Sequence, residues 1–136
     1  MDMRYNGVIE SKLRVIEEKL SDIEGWNIGS FEQLKQNSML RNAAERALQV
    51  SVEAFIYVCE RILALEQHSA PNSSSGSLQE VISMGIISNN PDYYEMIRFR
   101  NFIVHRYEKI DLEIIYSIIK NKLDVFRNFI HEIRNS

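Results

Sequence analysis

The sequence is poor in residues that staple or punctuate a chain. Its one cysteine, Cys59, excludes an internal disulfide and with it a disulfide-held secreted scaffold. Five glycines and two prolines are too few for a turn-rich β fold or a linker-like chain. No stretch approaches the roughly 20 apolar residues that cross a bilayer. Met1 to Glu10 lacks the apolar centre of a signal peptide. The expectation is a cytoplasmic protein with no membrane partner. Three histidines, His68, His105 and His131, are scattered, and none shares a helical turn with another or with Cys59, so no metal site and no cofactor is expected. Positive charge is also in short supply: 16 Lys and Arg stand against 19 Asp and Glu, a formal charge of −3. That excludes a protein held to nucleic acid by a general basic surface.

What remains is an ordinary globular mixture, 45% hydrophobic and 26% charged. A length of 136 residues makes one domain, residues 1–136. The patterning is helical. Ile9, Leu13, Ile16, Leu20 and Ile23 recur at steps of four and three, one stripe of an amphipathic helix. Gly25 and Gly29 break it, and Ser30, supported by Glu32 or Gln33, caps a new start. A long second helix is expected from about Phe31 to Gln67, striped by Leu40, Ala44, Ala47, Ser51, Phe55, Val58, Ile62 and Leu65, with a bend near Asn37 and Ser38. Residues 68–77, rich in serine, read as a flexible loop. A short third helix carries Leu78, Val81 and Ile82. Asn90-Pro91 opens a fourth that runs to about His105. Asp111 caps a fifth that reaches about Arg134.

The fifth helix carries two apolar sets. One is Leu112, Ile115, Ile119, Leu123, Phe126, Ile130 and Ile133; the other is Ile114, Ile118, Val125 and Phe129. Two sets imply burial on two sides, against the chain's own bundle and against a second subunit, so a homodimer is expected.

The densest polar and aromatic cluster is Arg98 to Tyr107. Asn101 and His105 are four apart and share a helical face. Arg100, five before His105, lies about 140° away round an ideal helix and must bend back, or act with groups of a partner chain. The residue types suit phosphodiester cleavage. Histidine gives and takes protons near neutral pH. Arginine offers a planar fork of donors to a phosphate, and asparagine can orient a hydroxyl or a phosphate oxygen. RNA supplies its own 2′-hydroxyl nucleophile, so neither metal nor protein nucleophile is required. An Arg and a His at this spacing, taken alone, are more often solvated helix residues.

Arg100-Asn101-Phe102-Ile103-Val104-His105-Arg106-Tyr107 resembles the Arg-x-x-x-x-His-x-Tyr motif of the HepT-like toxins of the HEPN superfamily. The resemblance extends outward to Met96-Ile97-Arg98-Phe99, to Glu108-Lys109-Ile110-Asp111 with Ile114-Ile115-Tyr116, and to Ala44-Glu45-Arg46-Ala47-Leu48-Gln49 with Glu53-Ala54. It covers nearly the whole chain and is poorest in the serine-rich segment. It implies an all-α, antiparallel HEPN bundle of about five helices that dimerises and sets two motifs at a shared cleft. It implies a toxin of a toxin–antitoxin system, a metal-independent ribonuclease. By position His105 would transfer the proton, Arg100 would hold the scissile phosphate, and Asn101 would support the site. Glu45, Arg46 and Arg106 would assist, although a helix-surface or intersubunit ion pair is an equal reading of Glu45 and Arg46. The partner would be a minimal nucleotidyltransferase antitoxin of the MntA type. It would transfer AMP to Tyr107 and so add bulk and negative charge beside the site.

The competing reading is a non-catalytic HEPN-like bundle that binds a nucleotidyltransferase and helps present its substrate. The motif argues for the enzyme, because a scaffold does not need Arg100 and His105 together, and the charge distribution leaves room for a focused phosphate site. Residues 1–91 carry 8 basic and 12 acidic side chains, and residues 92–136 carry 8 and 7. The motif therefore lies in the more basic part of an acidic chain, with Arg98, Arg100, Arg106 and Lys109 close together in sequence.

Overall fold

The computed structural model of the chain describes residues 7–69, 71–104 and 111–136. His105, Arg106 and Tyr107, and with them Lys109 of the basic cluster around the motif, lie outside the described residues.

Every regular element among the described residues is an α-helix: α1 Val8–Gly25, α2 Phe31–Gln36, α3 Ser38–Leu65, α4 Ser74–Ser83, α5 Pro91–Val104, α6 Leu112–Asn121 and α7 Leu123–Arg134. The count of seven, where about five were expected, comes from two breaks and not from a different architecture. At the first break, Asn37 adopts an extended backbone (φ −116°, ψ 100°) and its side chain accepts the Leu40 N–H at 3.0 Å. A competent N-cap there starts a new helix, so the expected bend is a full interruption. At the second, Lys122 leaves the helical region (φ −124°, ψ 3°) while its Nζ reaches Asp92 on α5 at 3.1 Å.

Other helix ends follow local chemistry. Ser30 Oγ accepts the Gln33 N–H at 3.1 Å, and Gln33 Oε1 accepts the Gly29 N–H at 2.8 Å, a reciprocal cap on α2. Asn90 Oδ1 accepts the Asp92 N–H at the start of α5, and Asp111 Oδ1 accepts the Glu113 N–H at the start of α6. Within the serine-rich segment, Ser73 Oγ accepts the Gly76 N–H and opens α4 at Ser74, earlier than the composition implies. Gly76 is required there, because a Cβ would lie 2.9 Å from the Pro71 Cβ.

The long helix α3 spans about 42 Å at 1.5 Å per residue and organises the bundle. It packs against α1, α2, α4 and α5. The expected stripe is buried from Ala44 to Ile62, and a second row, Leu48, Val52, Ile56, Cys59 and Leu63, is buried as well. Small residues such as Ala44, Ala47 and Ser51 lie in the buried stripe; the Ser51 hydroxyl is satisfied by donating to the Ala47 carbonyl at 2.9 Å. The sequence pattern assigns double-sided burial to the last helix, but the helix with neighbours on several sides is α3. Burial also pushes the Cys59 thiol well above its ordinary range, which marks it as a packing residue.

The two apolar sets near the C-terminus have a different explanation from the one expected. Ile118, Val125 and Phe129 are buried inside this chain, and of the second set only Ile114 is exposed. A break at Lys122 separates α7 from α6, and residues of both sets belong to the same core. Burial of this set therefore needs no second subunit. Phe129 stacks against Phe55 with ring centroids 4.2 Å apart, and Tyr93 lies 5.8 Å from both. This trio joins α3, α5 and α7. The Tyr93 hydroxyl donates to Glu132 Oε2, whose carboxylate also accepts the Ser88 N–H.

On the outside, Arg134 Nη2 bridges Glu10 and Glu17 at 2.7 Å each, tying α7 to α1. The hydrogen bond from Arg134 holds the Glu17 carboxyl below its ordinary value of 4.5.

Two outcomes are expected. Phe129→Ala removes a wholly buried ring from the three-helix junction and costs about 3–5 kcal/mol in chemical denaturation. Because the Glu17 carboxyl is depressed in the fold, its contribution is present above pH 4.5 and is lost as pH falls through the folded value. Glu17 is substantially exposed, so this share is under about 1 kcal/mol. The stability gap between the natural chain and Arg134→Met should therefore narrow below pH 4.5, read from urea midpoints across an acid series.

Candidate active site

Helix α5 buries Tyr93, Met96, Ile97 and Phe99 against the bundle. That face fixes the rotation of the helix and carries Arg100 to the edge of the interface with α3. Arg100 Nε donates to Glu53 Oε1 on α3 at 3.0 Å, and Nη1 donates to Asn101 Oδ1 at 3.2 Å. The Arg100 side chain is 28% exposed, so it is anchored without being closed off. A guanidinium has five N–H donors. Two engaged donors fix its plane and leave others for an oxyanion. Arg98, two residues back, is turned to solvent and pairs with Glu95.

Arg100 and Glu53 help line a groove of about 340 Å³ between α1, α3 and α5. Arg46 lines it too, whereas Glu45, half-buried on the adjoining face of α3, is not among its lining residues. The structure thus gathers Arg100 and Arg46 at one groove, with Asn101 hydrogen-bonded to Arg100. It leaves Glu45 aside, and His105, Arg106 and Tyr107 lie outside the described residues. Phe102, 41% exposed beside Asn101, is less enclosed than an apolar core residue would be.

Glu53 is the residue that sequence reasoning passes over. It appears in the pattern only as a match to a family segment, with no role. The pair it makes joins residues 47 positions apart, which helical periodicity cannot reveal.

A second groove of about 430 Å³ lies between α1 and α7 and is lined by Glu17, Glu24, Arg127, His131 and Arg134 among others. Its arginines are committed to acidic partners: Arg134 to Glu10 and Glu17, Arg127 to Glu24 and Asp124. Paired in this way, they read as the ion-pair seam of two helices. Among the described residues no group of three or more His, Cys, Asp or Glu side chains could hold a metal ion. Among the same residues no helix is long and apolar enough to cross a membrane.

In sequence and in fold the chain is similar to known proteins. The mRNA nuclease HepT of Shewanella oneidensis is 27% identical over 131 residues, covering 95% of this chain and 98% of that protein. A solved structure of the tri-AMPylated Shewanella oneidensis HEPN toxin in complex with the MNT antitoxin superposes with a TM-score of 0.86 at 26% identity, covering 96% of this chain and 99% of that one. A toxin–antitoxin structure with AMP-PNP matches equally, at TM-score 0.86 and 26% identity over 96% of this chain and 100% of that one. The cytosolic protein YutE of Bacillus subtilis, 17% identical, shares the fold at a TM-score of 0.80 over 93% of this chain and 86% of that one. The family model for ribonuclease HepT-like proteins matches residues 16–133. Matched from the middle of α1 almost to the end of α7, this chain belongs to the ribonuclease HepT-like family.

Proposed function

We propose that the chain is the toxin of a cytoplasmic toxin–antitoxin system and cleaves RNA without a metal ion. The observation that carries the reading is the Arg100 guanidinium. It is pinned by Glu53 and Asn101 at the end of α5, five residues before His105, in a chain similar to an mRNA nuclease. In the proposed reaction, His105 takes the proton of a ribose 2′-hydroxyl. The 2′-oxygen bonds to the adjacent phosphorus and the bond from phosphorus to the 5′-oxygen breaks. An imidazolium returns a proton to that oxygen, leaving a 2′,3′-cyclic phosphate and a free 5′-hydroxyl. Arg100 stabilises the charge that gathers on the phosphoryl oxygens, and it does so best when its plane is set beforehand. Asn101 helps set that plane, and Arg106 adds positive charge.

The same reading includes a homodimer with two motifs at one cleft, a proposal that rests on the family likeness and not on the second apolar set of α6 and α7. It also includes a minimal nucleotidyltransferase partner of the MntA type. That partner moves AMP from ATP to the Tyr107 oxygen and releases pyrophosphate. The solved relatives in complex with such antitoxins support it.

The decisive experiment is RNA cleavage by the purified protein with EDTA present. Cleavage is expected, and a requirement for added metal would overturn the mechanism. His105→Ala and Arg100→Ala should each abolish growth inhibition on expression while keeping the helical circular dichroism spectrum. Glu53→Ala should lower cleavage about tenfold to a hundredfold through loss of Arg100 placement, with partial rescue by Glu53→Asp. With the nucleotidyltransferase and ATP, mass spectrometry should find AMP on Tyr107; AMP found only elsewhere would refute the acceptor.

A further inference from the structure

The groove beside Arg100 has an order along α3. Arg46, Val50, Glu53, Tyr57 and Glu60 follow one another at steps of four, three, four and three, and all five line it. They form one continuous face of α3, about 21 Å long at 1.5 Å per residue, flanked by Lys12 and Val15 of α1 and by Arg100 of α5. Glu53 marks the level of Arg100. Arg46 lies two turns away on one side. Tyr57 lies one turn away on the other, with the Lys12 ammonium 4.9 Å from its ring centroid.

Tyr57 is unusual for a tyrosine beside a core, because it is 41% exposed while Phe55, Ile56 and Val58 next to it are buried. Its ring forms part of the groove wall, and Lys12 holds it by a cation–π contact. The charges are similarly arranged. Lys12, Arg46 and Arg100 bring three positive groups to the groove, against Glu53 and Glu60. Glu53 is spent on Arg100. Glu60 stands at the far end, one turn beyond Tyr57, where it opposes a further phosphate. A chain with a net charge of −3 therefore carries, next to its phosphate-holding arginine, a short groove that is cationic at one end and aromatic near the other.

We propose that this α1–α3–α5 groove seats the single-stranded RNA that flanks the scissile phosphate, with Arg46 and Lys12 holding phosphates and Tyr57 stacking a base. The proposal rests on the ribonuclease reading above and extends it from the cleavage point to the substrate strand. Base–aromatic stacking tolerates any base, because every base has a π face. The groove thus supplies affinity and register for unpaired RNA and excludes a continuous duplex, whose bases are already stacked on one another.

The test is fluorescence anisotropy with a labelled single-stranded RNA of about twelve nucleotides and the full chain carrying His105→Ala, which blocks turnover. Tyr57→Ala in that background should weaken binding about tenfold or more, on the scale of one lost stacking contact. Tyr57→Phe should keep the affinity. Lys12→Gln and Arg46→Gln should each weaken binding and flatten the dependence of log affinity on log salt by about 0.7, the loss of one phosphate contact to a single strand. The same RNA annealed into a duplex should bind more weakly. Circular dichroism and thermal midpoints confirm that each variant is folded.

Unchanged affinity and salt slope in folded variants would overturn the groove and leave the ribonuclease reading intact. Loss of nucleotidyltransferase binding with RNA binding unchanged would also overturn it, by making the groove a protein-docking face. Weakened RNA binding in the variants, together with no cleavage by the natural chain, would support the groove while refuting the ribonuclease.

Discussion

The contact of Phe55, Tyr93 and Phe129 sets the geometry on which the other features depend. Three rings from three helices meet at one point, each wholly buried, so α3, α5 and α7 cannot slide or rotate independently. The apolar face of α5, with Tyr93, Met96, Ile97 and Phe99 inside, fixes which side chains reach the edge. Arg100 is one of these, and its pairing with Glu53 follows from the rotation that the aromatic junction imposes. The Glu132 carboxylate adds direction, because it accepts from both the Tyr93 hydroxyl and the Ser88 backbone at the α4–α5 connection. A packing constraint some residues away thus becomes a constraint on the guanidinium plane.

Placement of a cation at a half-buried edge has a chemical logic. A fully exposed arginine would spend free energy on ordering when it met a phosphate. A fully buried one would carry a desolvation cost and could not reach its ligand. At 28% exposure, with two donors engaged and others open, Arg100 lies between these limits. The acidic surplus of the chain is compatible with this. Part of the acidic charge is engaged in helix-to-helix ion pairs such as Arg134 with Glu10 and Glu17, between α7 and α1.

Legibility differed by the range of the interaction. The α1 stripe was readable because five apolar residues at helical spacing have one consistent explanation, and all five are buried. The caps at Ser30 and Asp111 were readable because a cap is a contact within a few residues of chain. The break at Lys122 was not, since no glycine or proline marks it and the partner of its side chain, Asp92, lies 30 positions away on α5. That missed break turned an intrachain core set into an apparent subunit interface. The Arg-x-x-x-x-His-x-Tyr motif was visible as residues, while Glu53 and Tyr57 were visible only as members of a helix.

Sequence alone determined the all-α class, the start and cap of α2, α5 and α6, and the family, since these depend on local spacing and on a motif contiguous in the chain. Tertiary structure decided which helix is central, where the apolar sets of α6 and α7 are buried, and which carboxylate holds Arg100. Those outcomes depend on how helices rotate and cross when they share one core, and a linear pattern contains the faces of each helix but not the partner that each face meets.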